Sequence, residues 1–196
     1  IFSAAEAGAD AAKFQHFEAS TIVSDFGFKQ LDTQLSHQSG WKKSVYETYK
    51  DASINMDWTS ILKETCEKAG IDFFTSPYSI DIVDKIDQYL PAYKIGSGDI
   101  TWHEIVEHIA RKNKPVIIAS GASNINEVRD VIEKCLKINK QIALLQCNTN
   151  YTADKNNFNF INLNVIKTFT KIFPDIVIGL SDHTLGHSTV LGAISL

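Results

Sequence analysis

Short, mainly apolar runs recur along this chain, and a segment with helical periodicity separates each run from the next. Runs of this kind, which are not polar on alternate residues, are typical of strands buried on both faces, and they favour a parallel sheet covered by helices. The sequence therefore predicts an α/β fold. The predicted strands are Ala11–Phe14, Ile71–Phe74, Ala92–Ile95, Val116–Ile118, Ile142–Leu145 and Val177–Leu180.

Helix boundaries can be predicted from glycines and from capping boxes, in which an N-cap side chain and the residue three positions later satisfy each other's backbone N–H groups. Gly70 is placed to end the helix Trp58–Ala69 in the left-handed region. Capping boxes are predicted at Thr101 to Glu104 and at Asn124 to Glu127. Other helices are predicted to end at Gly8 and to span Tyr78–Tyr89, Trp102–Asn113 and Leu163–Phe173, and the Asn124 helix should end near Ile138.

The spacing of these strands, roughly 20 to 35 residues after an early insertion, fits the repeat of a (β/α)8 TIM barrel with roughly two of its units missing. An open, doubly wound sheet remains an alternative, because periodicity does not show closure. The chain begins at Ile1 in mid-pattern and stops at Leu196 inside an apolar run. We therefore expect residues 1–196 to form a partial barrel domain of a longer protein. The insertion from His16 to Asn55 has no sustained period, and connections of this length are usually functional.

Composition excludes several classes of protein. A formal net charge of −4 gives no general attraction to nucleic acid or to an anionic membrane, so phosphate recognition would need a local arrangement. No apolar run approaches the ~20 residues that span a bilayer. Cys66, Cys135 and Cys147 are odd in number and set in apolar surroundings, which predicts buried thiols in a cytoplasmic protein.

Polar residues follow almost every predicted strand. In a parallel barrel these strand ends face one shared mouth, so residues distant in sequence should converge there. The residues are Lys13, Gln15, Thr75, Ser76, Lys94, Ser97, Asp99, Ser120, Asn148, Thr149, Tyr151, Ser181, Asp182 and His183. We expect one active site from this series.

The segment from Lys94 to Asp99 is the sharpest local motif. Its glycines let the backbone approach a ligand, while Lys94 and Ser97 offer a cation and a hydroxyl to an oxyanion such as phosphate. Alternatives are a strand-to-helix turn with Lys94 paired to a carboxylate, or a Schiff-base lysine, which would have to lose its charge. Asp99 is a candidate acid or base, or the cap of the next helix.

Two later segments also carry candidate ligands. After the last strand, Ser181 suits phosphate and His183 suits a metal, although a lone histidine is more often structural. His187 could form a helical pair with His183 or lie at an exposed helix start. The amide-rich segment from Gln146 to Tyr151 suits sugar hydroxyls or an Asn-rich turn bonded to its own backbone.

Taken together, the motifs resemble those of the sialic acid synthase family. They occur in the family's order over nearly the whole chain: Ala7-Gly8-Ala9-Asp10-Ala11-Ala12-Lys13-Phe14-Gln15, Ser44-Val45-Tyr46-Glu47, Phe74-Thr75-Ser76-Pro77-Tyr78, Lys94-Ile95-Gly96-Ser97-Gly98-Asp99 and Gly179-Leu180-Ser181-Asp182-His183-Thr184. The resemblance implies a barrel enzyme that condenses phosphoenolpyruvate with the aldehyde of an N-acyl amino sugar, using manganese or magnesium. It also implies a homodimer in which a C-terminal antifreeze-like domain closes the partner's site.

The resemblance also implies roles for matched positions. Lys94, Ser97 and Ser181 would hold phosphate with Thr149 nearby, and His183 would be one of two metal-binding histidines. The predicted catalytic residues are Asp99, which would move protons, Lys94, and Tyr151, which would also line the sugar pocket. The remaining predicted substrate contacts are Lys13, Gln15, Thr75 and Ser120. The family's first strand with its acidic residue and its second metal histidine are expected outside this chain.

Two residues depart from the family pattern, and two alternative functions remain open. Ala119 stands where the family commonly has serine, so Ser120 or backbone N–H groups would have to replace that hydroxyl, and Gln146 replaces a frequent histidine. A Schiff-base aldolase acting through Lys94 and a degenerate, non-catalytic barrel remain alternative functions.

Overall fold

The computed structural model describes residues 1–31 and 37–196, which form two compact units, Ile1–Pro91 and Ala92–Leu196. We call them the N-terminal unit and the C-terminal unit. Each contains parallel strands connected by helices, so the predicted α/β class is confirmed. The strands are β1 (Ala11–His16) and β2 (Asp72–Pro77) in the first unit, and β3 (Tyr93–Ile95), β4 (Val116–Ala119), β5 (Ile142–Cys147) and β6 (Val177–Ser181) in the second.

Helices of the N-terminal unit follow the predicted pattern outside the insertion. The helix Trp58–Ala69 was predicted with these bounds, and Gly70 ends it with a φ of 73°. The predicted helix Tyr78–Tyr89 is shorter, because the Ser79 hydroxyl caps its start and its last turn is a 3₁₀ helix. The helices are α1 (Phe2–Glu6), α2 (Ala19–Ile22), α3 (Asp25–Gln30), α4 (Val45–Ala52), α5 (Trp58–Ala69) and α6 (Ile80–Ile86).

The insertion after β1 contains short helices, which explains why its sequence shows no sustained period. Helices α2, α3 and α4 have four to eight residues each. The start of α4 is fixed by a capping box: the Ser44 hydroxyl accepts from the Glu47 N–H, and the Glu47 carboxylate accepts from the Ser44 N–H. The motif Ser44 to Glu47 therefore orders a helix in this insertion.

The C-terminal unit is a four-stranded parallel sheet in the order β3-β4-β5-β6. Its core is apolar: Ile118 and Leu144 in the strands and Val106, Ile109 and Ile132 in the helices are almost completely inaccessible to solvent. Its helices are α7 (His103–Ala110), α8 (Ile125–Ile138), α9 (Val165–Ile172) and α10 (Ser188–Ile194). Within the described parts of the chain, no helix is long and apolar enough to cross a membrane.

The two predicted capping boxes had different outcomes. The Asn124 box is confirmed, because the Asn124 side chain accepts from the Glu127 N–H while the Glu127 carboxylate accepts from the Asn124 N–H. The Thr101 box is wrong. A 3₁₀ turn at Ser97–Asp99 delays the helix, so α7 begins at His103 after Trp102, which makes no side-chain cap.

Candidate active site

The ends of β3, β4 and β5 bring several predicted site residues into contact. The Ser97 hydroxyl oxygen accepts from the Gly121 N–H at 3.0 Å. A Cβ atom on Gly121 would lie 2.7 Å from the Cys147 carbonyl oxygen, 2.9 Å from the Thr149 methyl carbon and 3.0 Å from the Ser97 oxygen, so only glycine fits. Because Ser97 accepts this bond, its own proton can be donated to a ligand. We call Lys94, Ser97, Asp99, Gly121 and Thr149 the strand-end cluster.

Lys94 and Asp99 supply the opposite charges of the strand-end cluster. Lys94 lies on β3 and is 8% exposed, and its ammonium donates to the Ile95 carbonyl at 2.9 Å. Burial raises the pKa of Asp99, and the positive charge of Lys94 partly offsets that increase. The cluster thus places a buried cation and a hydroxyl close to a carboxyl group that retains its proton to a higher pH than usual.

Strand register places Ser181 on the same face of the sheet as Lys94. Lys94 pairs with Ile117, Ala119 pairs with Leu145, and Cys147 pairs with Ser181. Side chains two residues apart on a strand share a face, and paired residues share it across strands. Lys94, Ala119 and Ser181 therefore project from one face, as two strand-end phosphate ligands require.

Ser120 lies one position beyond that face. It is buried, and its hydroxyl donates to the Leu145 carbonyl at 3.0 Å. The residue on the Lys94 face is Ala119, which has no polar group, and the Gly121 N–H already donates to Ser97. A substrate-binding role for Ser120 stays a prediction, and its geometry does not favour that role.

Tyr151 and His183 meet edge to face, with ring centroids 4.6 Å apart and planes at 71°. Tyr151 is exposed and His183 is half-buried. The Asp182 carboxylate accepts from the Thr184 N–H and hydroxyl at 3.1 and 2.8 Å, so it orders the loop after β6. Residues that follow the neighbouring strands β5 and β6 are therefore in contact at the predicted metal histidine.

A complete metal site is not present in the part of the chain that the structure describes. Those residues contain no group of three or more His, Cys, Asp or Glu side chains placed to hold an ion. His187 is exposed and precedes the first residue of α10 without capping it, and His183 lies further upstream, so the two do not form a helical pair. Among the described residues, His183 stays a predicted metal ligand.

The amide-rich segment after β5 adopts the structural alternative considered for it. The Asn148 side-chain oxygen accepts from the Asn150 N–H at 3.1 Å, and the Asn150 oxygen accepts from the Thr152 N–H at 3.1 Å. Gln146 donates to the Ile161 carbonyl at 2.9 Å. These bonds hold the turn that presents Tyr151.

In the N-terminal unit, the predicted residues are divided between the two faces of the strands. Gln15 pairs in register with Ser76, so Ser76 shares the face of Lys13 and Gln15. Ser76 is 3% exposed. It was among the strand-end polar residues but not among the predicted ligands, and strand alternation could have identified it. Desolvation lowers the pKa of Lys13, although the residue as a whole is exposed.

Thr75 lies on the other face, in a hydrogen-bonded chain that we call the His16 network. The Thr75 hydroxyl is 2.9 Å from His16 Nδ1, and the Thr59 hydroxyl is 3.0 Å from His16 Nε2. Thr59 donates its proton to the Met56 carbonyl at 2.7 Å, so it must accept from Nε2–H, and Thr75 must donate to Nδ1. Thr75 is thus engaged away from Lys13, and its predicted role in substrate binding gains no geometric support.

Comparison with known proteins identifies the family. The sequence model of the NeuB family matches residues 1–196. The chain belongs to the NeuB family. An uncharacterised protein of Methanocaldococcus jannaschii is 36% identical over 189 residues, covering 95% of this chain and 50% of that protein. The pseudaminic acid synthase of Helicobacter pylori is 32% identical over 196 residues, covering 96% of this chain and 56% of that enzyme.

A solved structure supports the same NeuB-family assignment. The crystal structure of N-acetylneuraminic acid synthetase from Leptospira borgpetersenii serovar Hardjo-bovis, in complex with citrate, matches with a TM-score of 0.82 and 25% identity. The match covers 100% of this chain and 62% of that chain. The predicted resemblance is confirmed for the family. The chain spans about half the length of the curated relatives that it matches.

Proposed function

We propose that this chain carries the phosphoenolpyruvate-binding part of a nonulosonic acid synthase. The enzyme condenses phosphoenolpyruvate with the open-chain aldehyde of an N-acyl amino sugar similar to N-acetylmannosamine, and water is consumed as phosphate is released. One observation carries this proposal: Lys94 and Ser181 project from the same face of the sheet, and the Ser97 hydroxyl just after the Lys94 strand accepts from the Gly121 N–H. Membership of the NeuB family supports the reaction class.

The strand-end cluster suits the phosphate of phosphoenolpyruvate. Charge-assisted hydrogen bonds from an ammonium group are stronger than those from neutral donors. Lys94 would supply the charge, and the hydroxyls of Ser97 and Ser181 would supply directed donors, with Thr149 at the edge of the cluster. Since Lys94 and Ser97 are buried, water would compete weakly with the ligand.

Asp99 would carry protons during the condensation. The C3 atom of phosphoenolpyruvate forms a bond to the aldehyde carbon, and the aldehyde oxygen becomes a hydroxyl that requires a proton. Water then adds at C2, the C2–O bond to phosphate breaks, and phosphate leaves. Because burial raises the pKa of Asp99, this group is better suited to donate and recover a proton than a solvent-exposed aspartate.

We propose manganese or magnesium as the metal, with His183 as one ligand. When bound, the ion would polarise the aldehyde oxygen as a Lewis acid. One imidazole is an incomplete donor set, so water, substrate or further protein groups would complete the coordination. The Tyr151 ring packs against the His183 ring and would limit its rotation.

The full assembly is also a proposal. The parallel β/α repeats within each unit and the match to the Leptospira structure support a partial TIM barrel over residues 1–196. By resemblance to sialic acid synthases, we propose a cytoplasmic homodimer that makes sugars for surface polysaccharides.

Phosphate release tests the proposed reaction. The full-length protein would be assayed with phosphoenolpyruvate and each aldehyde in turn: N-acetylmannosamine, its 6-phosphate and bacterial diamino sugars. We expect release with one aldehyde, abolished by chelator and by His183→Ala. Absence of release with every aldehyde would contradict the proposal. Borohydride trapping of Lys94 with substrate would instead indicate a Schiff-base aldolase.

A further inference from the structure

Residues at the end of β1 and in the insertion after it line a cavity of about 440 Å³. The proposed reaction assigns no role to this cavity. It lies in the N-terminal unit, between the end of β1 and helix α4. A volume of this size is within the range of small-molecule sites. We call it the aromatic pocket, and the residues that matter for it are Gln15, Phe17, Trp41, Tyr49, Ala52 and Ile54.

The walls of the aromatic pocket are packed against each other. The rings of Phe17 and Tyr49 have centroids 5.6 Å apart, and those of Trp41 and Tyr49 are 6.2 Å apart. Phe17 also meets Tyr78 edge to face at 6.0 Å. Aromatic pairs at these separations add to the stability gained by burial. Since the Ser44 capping box fixes the start of α4, the pocket has supported walls.

Gln15 connects the aromatic pocket with the predicted substrate residues. It lines the pocket and shares a strand face with Lys13 and Ser76. Its side-chain amide donates to the Tyr78 hydroxyl at 2.7 Å, which fixes its orientation. A substrate bound along this face of β1 would therefore reach the pocket at Gln15.

The lining determines which chemical group fits the aromatic pocket. Among the described residues that line it, none carries a charge. Moving a phosphate or carboxylate into such surroundings costs free energy because no cation compensates for the lost hydration. An uncharged group with an apolar end and an amide fits better, since the rings contact the first and Gln15 can hydrogen-bond to the second.

We propose that the aromatic pocket holds the acylamino substituent of the aldehyde substrate and sets which acyl chains are accepted. This inference rests on the proposed synthase function. It assigns a role to the insertion from His16 to Asn55. It also assigns the two substrates to different residues: binding of phosphoenolpyruvate depends on the strand-end cluster, and binding of the acylamino group depends on Gln15 and the aromatic rings.

Steady-state kinetics with two acyl chains test the aromatic pocket. The full-length protein would be assayed with N-acetyl and N-butanoyl forms of the accepted aldehyde. Ala52→Trp fills the cavity and should raise the aldehyde KM about tenfold, while the phosphoenolpyruvate KM changes less than about twofold. Trp41→Ala enlarges the cavity and should shift the preference toward the butanoyl form about tenfold. Phe26→Ala on α3 is the matched control, because Phe26 is 76% exposed and lies outside the pocket.

Saturation-transfer NMR on the aldehyde alone gives a second measurement that needs no turnover. The acyl methyl protons should receive the strongest transfer in the wild-type protein and in Phe26→Ala, and little in Ala52→Trp. Equal changes in both KM values, or unchanged transfer in Ala52→Trp, would overturn the inference. If no aldehyde releases phosphate, the proposed function fails, and the methyl transfer alone still decides whether the pocket binds acylamino groups.

Discussion

Two groups of polar side chains lie near strand ends in the described residues. They differ in whether their hydrogen-bonding groups are already paired within the protein. The strand-end cluster of the C-terminal unit has a buried cation, a hydroxyl whose proton can reach a ligand, and a carboxyl group with a raised pKa. The His16 network of the N-terminal unit is fully buried, and each hydroxyl in it already has a protein partner. The first arrangement can accept a ligand, whereas the second one stabilises the fold.

The difference shows that polarity at a strand end is insufficient to identify a ligand. Thr75 and Ser76 are adjacent and chemically similar, yet alternation sends them to opposite faces. Thr75 joins the His16 network, and Ser76 lies beside Gln15. Substitutions in the two groups should therefore affect different quantities, substrate binding in one and stability in the other.

Removal of the Lys94 charge should have the largest effect. We expect Lys94→Met to lower kcat/KM for phosphoenolpyruvate about 100- to 1000-fold, as does loss of one strong electrostatic contact in other active sites. The long apolar side chain of methionine fills most of the same buried space, so the unfolding midpoint should change little. Kinetics and urea unfolding of the full-length protein measure both. A large loss of stability with unchanged kinetics would place Lys94 among the structural residues.

The His16 network should make the stability of the folded protein depend on pH. Burial lowers the pKa of His16 from 6.5 to about 4, so the folded protein keeps it neutral while the unfolded chain binds a proton below about pH 6.5. Stability should be complete above that pH and decline as the pH falls toward 4. The full loss corresponds to about 3 kcal/mol, of which about 2 kcal/mol should be lost by pH 5.

Urea unfolding at pH 7 and pH 5 measures this dependence, and His16→Gln is the variant to compare. Its stability at pH 7 should be lower, because the network is disturbed, but the decline between the two pH values should be smaller. An equal decline in both proteins would assign the pH dependence to other groups and remove this distinction between the two polar clusters.

Two glycines provide a matched test of how tightly the strand-end cluster is packed. Gly121→Ala would force a methyl group against the Cys147 carbonyl oxygen, with an expected cost of about 1–3 kcal/mol and weaker phosphoenolpyruvate binding. Gly98→Ala is the control, since a Cβ there meets nothing within 4 Å. If both variants bind phosphoenolpyruvate like the wild type, the contact between Ser97 and Gly121 does not shape the site.

Much of the fold could be predicted because its signals are local. Helix α5, its Gly70 cap and the Asn124 capping box depend on residues within a few positions of each other. The start of α7 could not be predicted as well, because the preceding 3₁₀ turn moved the helix beyond Thr101. The short helices of the insertion lacked enough turns to show a period.

The candidate site was only partly predictable, since it depends on which face each side chain occupies. Lys94, Ser97 and Thr149 carry recognisable chemistry, and the structure brings Ser97 and Thr149 together around Gly121. Ser120 and Thr75 have the same chemistry but project elsewhere. The aromatic pocket was missed because its walls come from residues in and next to β1 and α4, and neither segment alone indicates that the two form a pocket.

The smallest expected effects come from the adjacent residues Thr75 and Ser76. Thr75→Val keeps the shape of the side chain but leaves His16 Nδ1 without its donor, which should cost about 1 kcal/mol of stability and leave the phosphoenolpyruvate KM unchanged. Ser76→Ala should leave stability nearly unchanged and raise the KM of one of the two substrates by roughly tenfold. That is the effect expected when one hydrogen bond to a charged ligand is lost. Steady-state kinetics and urea unfolding of both variants decide the matter. The reverse result, a kinetic effect at Thr75 and a stability effect at Ser76, would mean that the face carrying Lys13 and Gln15 does not bind substrate.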